Sequence, residues 1–371
     1  MKKITRLPLL VAGLGVALTV AAFVSHPVDY PQEADPGVTL TGEVPAFVAR
    51  GLDWLAAAQF DNGGWGAGTH ANQGIRDPHA VQIDPATTAF SAMALLRSGS
   101  TLTDGPYHDN VRRALDYLLG MVETYPEEGS KISNISGTQP QAKLGQNIDV
   151  AMTAQFLTQV LPHTKHDKIL RNRVGDALET CITKLSRAQD ADGSWNSQGG
   201  WAGVLQSAMA NNALEMADGA GLNVDKDALE RSRRYQQNNI DATSGAVRTE
   251  SAAGISLYSI ASAQRATAKE AQALDEEVVS AAKEGRLKDA TVSEENLQQL
   301  GYEAEEAQKM AEVYRQNKAA TDMLRDDAVL TGFGNNGGEE FLSYMMTSES
   351  LAEAGGEAWD EWYQKRHTRL S

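Results

Sequence analysis

Apolar residues at Val48, Leu52 and Leu55 recur at spacings of four and three, which lines one face of a helix. Ala56, Ala57 and Ala58 favour its continuation. Asn62, Gly63 and Gly64 then end it, because glycine takes the backbone conformations that a sharp turn needs. Behind this turn comes a helix of another kind. Residues 86–98 are rich in Ala, Ser and Thr, and the same small-residue character returns at 148–160, 203–217, 252–264 and 338–354. Small side chains let neighbouring helices approach closely, which suits an inner ring around a barrel axis with bulkier outer helices behind it. A last outer helix is expected near residues 357–368.

The outer helices carry a repeat. It reads Arg50-Gly51-x-x-Trp54-Leu55-x-x-x-Gln59-x-x-x-Gly63-x-Trp65. Leu185, Gln189, Gly193 and Trp195 fall on Leu55, Gln59, Gly63 and Trp65 at a shift of 130 residues. A third copy begins at Arg113 with Tyr117 and Leu118 and then decays, and a fourth begins at Arg231 with Tyr235. The starts at Arg50, Arg113, Thr180 and Arg231 lie 51 to 67 residues apart, room for a helix, a loop and a second helix. Gln59, Gly63, Trp65, Gln189, Gly193 and Trp195 are therefore read as structural staples. The glutamine amide is expected to bond free carbonyls at the helix end, with its plane against the indole.

Residues 264–328 break the pattern. The stretches 268–288 and 293–316 are charged and alanine-rich, and Thr291 to Glu294 has the spacing of a capping box. They read as a helical hairpin inserted between the fourth and fifth inner helices, its charge a solvated face. The expected fold class is thus all-α, a toroid of about five to six helical hairpins with a charged helical insertion. It occupies residues 45–371.

The first residues have a different look. Lys2, Lys3 and Arg6 precede an uncharged apolar run at residues 7–24. This pattern reads as a secretory signal or an uncleaved membrane anchor over residues 1–25. Four prolines between residues 26 and 45 suggest an extended linker over 26–44. The bulk is expected to be exported: periplasmic, extracellular, or held at the membrane by residues 7–24.

Of 371 residues, 42% are hydrophobic, which is enough for a sizeable core. Asp plus Glu outnumber Lys plus Arg by 49 to 33, giving a formal net charge of −16 that repels phosphate backbones and argues against nucleic acid. The single cysteine, Cys181, rules out an internal disulfide or a multi-cysteine metal site.

The spacing at residues 50–65 resembles the QW repeat of squalene–hopene and oxidosqualene cyclases, in full there and by about half at 180–195. The superfamily so implied also holds prenyltransferase β subunits and thioester domains, and its shared fold is a ring of paired helices around a cavity. The resemblance implies a class II cyclase acid motif, Asp-x-Asp-Asp-Thr-Ala. Asp84-Pro85-Ala86-Thr87-Thr88-Ala89 keeps only the first Asp and the Thr-Ala tail. The position of the proton donor is not a carboxylate. Asp84 is the catalytic candidate that remains, and capping the helix that starts at Pro85 is the competing role. Prenyltransferase zinc needs Asp, Cys and His. Cys181 lacks the upstream Asp, His163 and His166 lack a third ligand, and no thioester segment is present. No metal and no cofactor is expected.

Asp84, Asn147, Asp149, Trp201, Gln206, Glu250, Glu339 and Glu340 lie near the expected junctions between loops and inner helices. They are the candidates for lining a ligand cavity. Helix capping and charge–dipole stabilisation are the alternative for each carboxylate. The expected function is an exported toroid that binds a small molecule, a glycan or a protein without catalysis. The alternative is a terpenoid cyclase-like or polysaccharide-active enzyme using the central cavity, for which paired carboxylates would be the mark.

Overall fold

The computed structural model describes residues 45–331 and 340–370, apart from positions 70, 73, 126, 127 and 355. Among these residues there is no strand, only isolated bridges in loops. The chain opens with α1 (Ala46–Ala57), α2 (Pro85–Arg97) and α3 (His108–Thr124). A short α4 (Gln139–Leu144) precedes α5 (Ile148–Val160), α6 (Lys168–Ala188), α7 (Gly203–Gly219) and α8 (Lys226–Gln237). Then come α9 (Ser256–Lys283), a short α10 (Glu294–Gln299), α11 (Ala304–Met323), α12 (Asp327–Thr331), α13 (Glu340–Ala354) and α14 (Gly356–Leu370).

The small-residue helices form the inner ring, and each expected inner segment is matched by a helix. α2 packs on α5, α5 on α7, α7 on α9, and α9 on α13. One apolar cluster takes residues from all five, including Ala89, Phe156, Met209, Tyr258 and Met346, and from the outer α3 and α6, including Leu118 and Leu185, so the core runs between the inner and outer layers. An ion pair of 2.6 Å from Arg97 at the end of α2 to Glu349 of α13 joins the first inner helix to the last. The arrangement is an all-α toroid. Its two layers follow from composition. In α5 only Gln159 escapes burial, because neighbours surround the helix. The outer α8 buries only Ala228, Leu229, Ser232 and Gln236, a single stripe at helical spacing.

The charged segment differs from expectation in three ways. The boundary near residue 264 falls inside α9, which continues as one helix to Lys283. No glycine or proline interrupts 256–283, so the change from small to charged side chains alters the surroundings and not the backbone. The second stretch is two helices, because Gly301 takes a positive φ of 105° between α10 and α11. The cap of α10 is Ser293, whose hydroxyl accepts from the Asn296 amide at 3.2 Å, and not Thr291. Ser293 has the extended backbone that a cap needs. The far part of the hairpin holds its own cluster around Val278, Leu297 and Ala311. Ala320 and Leu324 at the near end of α11 join the cluster that contains Ile260, Leu351 and Trp362.

Among the described residues no helix is long and apolar enough to cross a membrane. The expected signal or anchor at 1–25 and the linker at 26–44 lie outside the described residues, as does Glu339.

Candidate functional site

The loops that feed the inner helices are built twice on one plan. Trp65 donates from Nε1 to the carbonyl of Leu55 at 2.8 Å, and Trp195 donates likewise to Leu185 at 2.9 Å. These carbonyls lie at the ends of α1 and α6, so the indole itself serves the helix end. This corrects the expectation that the glutamine would do so. Gln59 Nε2 instead donates to Gly63 O at 2.8 Å and to Asn110 O at 2.9 Å. Gln189 Nε2 donates to Gly193 O at 3.2 Å and Ala228 O at 2.8 Å. The amide thus ties its loop to the next outer helix, because the turn carries it past its own helix end. Gly63 and Gly193 have φ of 90° and 91°. A Cβ on either would lie 2.2 Å from a carbonyl oxygen, of Arg113 and of Arg231 respectively, so only glycine fits.

Asp84 is the N-cap of α2. Its Oδ1 accepts from the Thr87 amide at 2.7 Å, and its Oδ2 from the Thr87 hydroxyl at 2.8 Å and the Ala67 amide at 3.4 Å. The capping role weighed from the sequence is therefore present. Yet the side chain is fully buried, and burial without a cation pushes its pKa up from 3.8 to about 6 despite those bonds. Asp149, in the first turn of α5, is 4% exposed. Burial and the neighbouring Asp84 charge push it up to about 7, while a bond of 2.7 Å from Gln141 Nε2 to Oδ2 and the Lys131 charge pull the other way. The Ala86 amide is close enough to both carboxyls to favour the charged form of each. Tyr117 of α3 faces the same two acids, and its hydroxyl is pushed up by burial first and by both charges next. Oδ1 of Asp149 has no hydrogen-bond partner. The starts of α2 and α5 thus bring together two buried carboxyls whose pKa values are both raised, by burial first.

No family model and no solved structure matches the chain. Over 156 residues it is 26% identical to the squalene–hopene cyclase of Zymomonas mobilis. The match covers 40% of this chain and 20% of the cyclase, so this chain spans about a fifth of that relative. The similarity supports kinship with the squalene cyclase-like superfamily, in agreement with the helical ring.

The remaining candidates disperse. Asn147 starts α5 and is 1% exposed, with neither side-chain atom bonded. Its backbone amide donates to Gln206 Oε1 at 3.1 Å, and Gln206 Nε2 donates to Trp195 O at 2.6 Å. Gln206 is therefore a clamp between two repeats, with both ends of its amide engaged. Trp201 is 39% exposed beneath the Lys143 ammonium, which is 5.9 Å from its ring centre. Glu250 is exposed in a short 3-10 turn ahead of α9. Glu340 begins α13. Sequence reasoning missed Tyr117 and Gln141 as members of the acid cluster. Tyr117 was visible as the aromatic position of the third repeat copy, whereas nothing marks Gln141. Among the described residues no group of three or more His, Cys, Asp or Glu is placed to hold a metal ion.

Proposed function

We infer that this chain is an exported or membrane-anchored toroid that holds a ligand or partner without transforming it. One observation supports this most. Both oxygens of Asp84 are committed to Thr87 and Ala67 in a fully buried position. A general acid must come within hydrogen-bond reach of the atom it protonates, and both oxygens of Asp84 are already engaged, by Thr87 of its own helix start and by Ala67 of the preceding loop. The inner helices are also packed on one another over a shared apolar cluster. The basic start and the apolar run at residues 7–24 support export.

A second reading is an acid-catalysed enzyme, either terpenoid cyclase-like or polysaccharide-active. The observation that favours it is the pair Asp84 and Asp149, whose pKa values are raised to about 6 and about 7. Such tuning is a frequent mark of catalytic acids. Incubation of the purified protein with squalene and other linear isoprenoids separates the readings. No cyclic product is expected. A cyclic product that disappears in Asp84→Asn would restore the enzyme, and recovery of the chain from the cytoplasmic fraction would remove export.

A further inference from the structure

The outer wall of the toroid contains a cavity of about 540 Å3 between α11, α13 and α14. It shares no residue with the acid cluster at α2 and α5. Its size lies within the roughly 300–1,000 Å3 common for small-molecule sites. Leu324, Leu351 and Trp362 give it an apolar floor, and each of them is buried. The indole nitrogen of Trp362 donates to Ser348 Oγ at 2.8 Å, so the ring has no donor left for an occupant.

The charges at the mouth are spent on one another. Arg325 pairs with Asp322 and with Glu361, each at 3.1 Å. Lys365 pairs with Asp327 at 2.9 Å and donates to Arg325 O at 2.8 Å. An anion arriving here meets three carboxylates, a cation meets two cations, and neither finds an unspent countercharge. A charged head group would also lose its hydration on entering an apolar interior, a cost that a neutral one escapes in large part. One neutral polar group is left over. Thr321 lines the cavity, is 8% exposed, and its hydroxyl has no hydrogen-bond partner among the described residues. Thr321 and Leu324 are three residues apart at the end of α11, so the hydroxyl shares a helix face with the apolar floor. A threonine hydroxyl both donates and accepts, and another neutral hydroxyl matches it on both counts.

We propose that the cavity between α11, α13 and α14 is a binding site for a neutral molecule with a hydrocarbon body and one hydroxyl, of the class of medium-chain alcohols. The hydrocarbon lies along Leu324, Leu351 and Trp362, and the hydroxyl meets Thr321 Oγ1. This goes beyond the binding reading above, because it lies away from the inner-helix starts and does not depend on them.

Titration calorimetry on the full chain at pH 8, with monomeric 1-decanol and decanoate as probes, tests the assignment. Decanol is expected to bind at least about ten-fold more tightly than decanoate, since the carboxylate would be buried beside Thr321 without a countercharge. Thr321→Val keeps the shape of the side chain and removes the hydroxyl. It should weaken decanol by about two- to ten-fold, the worth of one neutral hydrogen bond. Ala358→Phe, at the cavity wall, should fill the space and bind neither probe while its circular dichroism stays helical. If Ala358→Phe does not fold, Thr321→Val decides alone. Absence of decanol binding, decanoate binding as tight as decanol, undiminished binding in Thr321→Val, or binding that survives in a folded Ala358→Phe would overturn the proposal.

Discussion

At residues 59–65 and again at 189–195 a glutamine amide, a glycine at positive φ and a buried indole close the turn between an outer and an inner helix. The bonds correspond one for one, down to the hydroxyl that meets the tryptophan amide, Thr88 in the first and Ser207 in the second. The helix starts beside these turns do not correspond. In the first the N-cap is Asp84, fully buried. In the second it is Ala202, which has no side-chain cap, and Gln206 supplies an amide from within α7. A carboxyl is therefore not needed to build this junction. The staple belongs to the fold, and the acid pair is an addition to one side of it that carries a cost at neutral pH.

The largest effect comes from breaking the shared part. Trp65 is 3% exposed and Trp195 not at all, whereas Trp54 at the other end of the same motif is 60% exposed. Loss of a buried aromatic costs about 3–5 kcal/mol, a large part of the roughly 5–15 kcal/mol that holds a domain together. Trp65→Ala and Trp195→Ala should both melt far below wild type, and Trp54→Ala close to it. A Trp65→Ala protein that melts with Trp54→Ala would show that the indole does not close the first repeat.

Breaking the part that differs should change the pH dependence of stability. Asp84 and Asp149 rise from 3.8 in the unfolded chain to about 6 and about 7 in the folded one. The folded state thus binds their protons more tightly. Their contribution is complete below about pH 4, declines as pH rises through the two folded values, and is lost above them. At about 1.4 kcal/mol for each tenfold gain in proton affinity, the coupled pair accounts for a loss on the order of a few kcal/mol between pH 4 and pH 8. Asn at position 149 keeps an oxygen for the Gln141 amide and carries no charge. Urea unfolding of wild type and Asp149→Asn at pH 5 and pH 8 should show the variant losing much less on going to high pH. Parallel losses would mean that the pair does not titrate in the fold.

These two regions were not equally legible. Gln59, Gly63 and Trp65 sit at fixed offsets within one helix and turn, so their partnership is local and the spacing reveals it. The inner helices were visible because Ala, Ser and Thr dominate them, and Asp84 sits at the helix start that Pro85 marks. The approach of Asp149 to Asp84 was hidden, since it depends on how α2 and α5 pack and on Tyr117 and Gln141 from two further elements. The continuity of α9 was hidden for the opposite reason. A change of side-chain character at residue 264 looks like a boundary, while helix propensity runs on unbroken.

The smallest effect distinguishes the two glutamines. Oε1 of Gln59 accepts from Asn110 Nδ2 at 2.8 Å, a neutral donor. Oε1 of Gln189 accepts from Arg231 Nη2 at 2.9 Å, a cation. Each Nε2 donates to two carbonyls. Replacement by Glu removes that donor in both loops and sets an oxygen against those carbonyls, a loss of roughly 1–3 kcal/mol common to the two. What remains is the new charge. At position 189 the guanidinium meets it, while position 59 has only the Asn110 amide. Gln59→Glu should therefore destabilise more than Gln189→Glu, by about 1 kcal/mol, the order of one partly exposed ion pair. The difference should shrink in high salt, because Arg231 is partly exposed and screening weakens its attraction. Paired denaturant melts at low and high salt measure it. Equal costs at low salt would show that Arg231 and Asn110 are interchangeable supports, and that the two staples are alike in energy as well as in form.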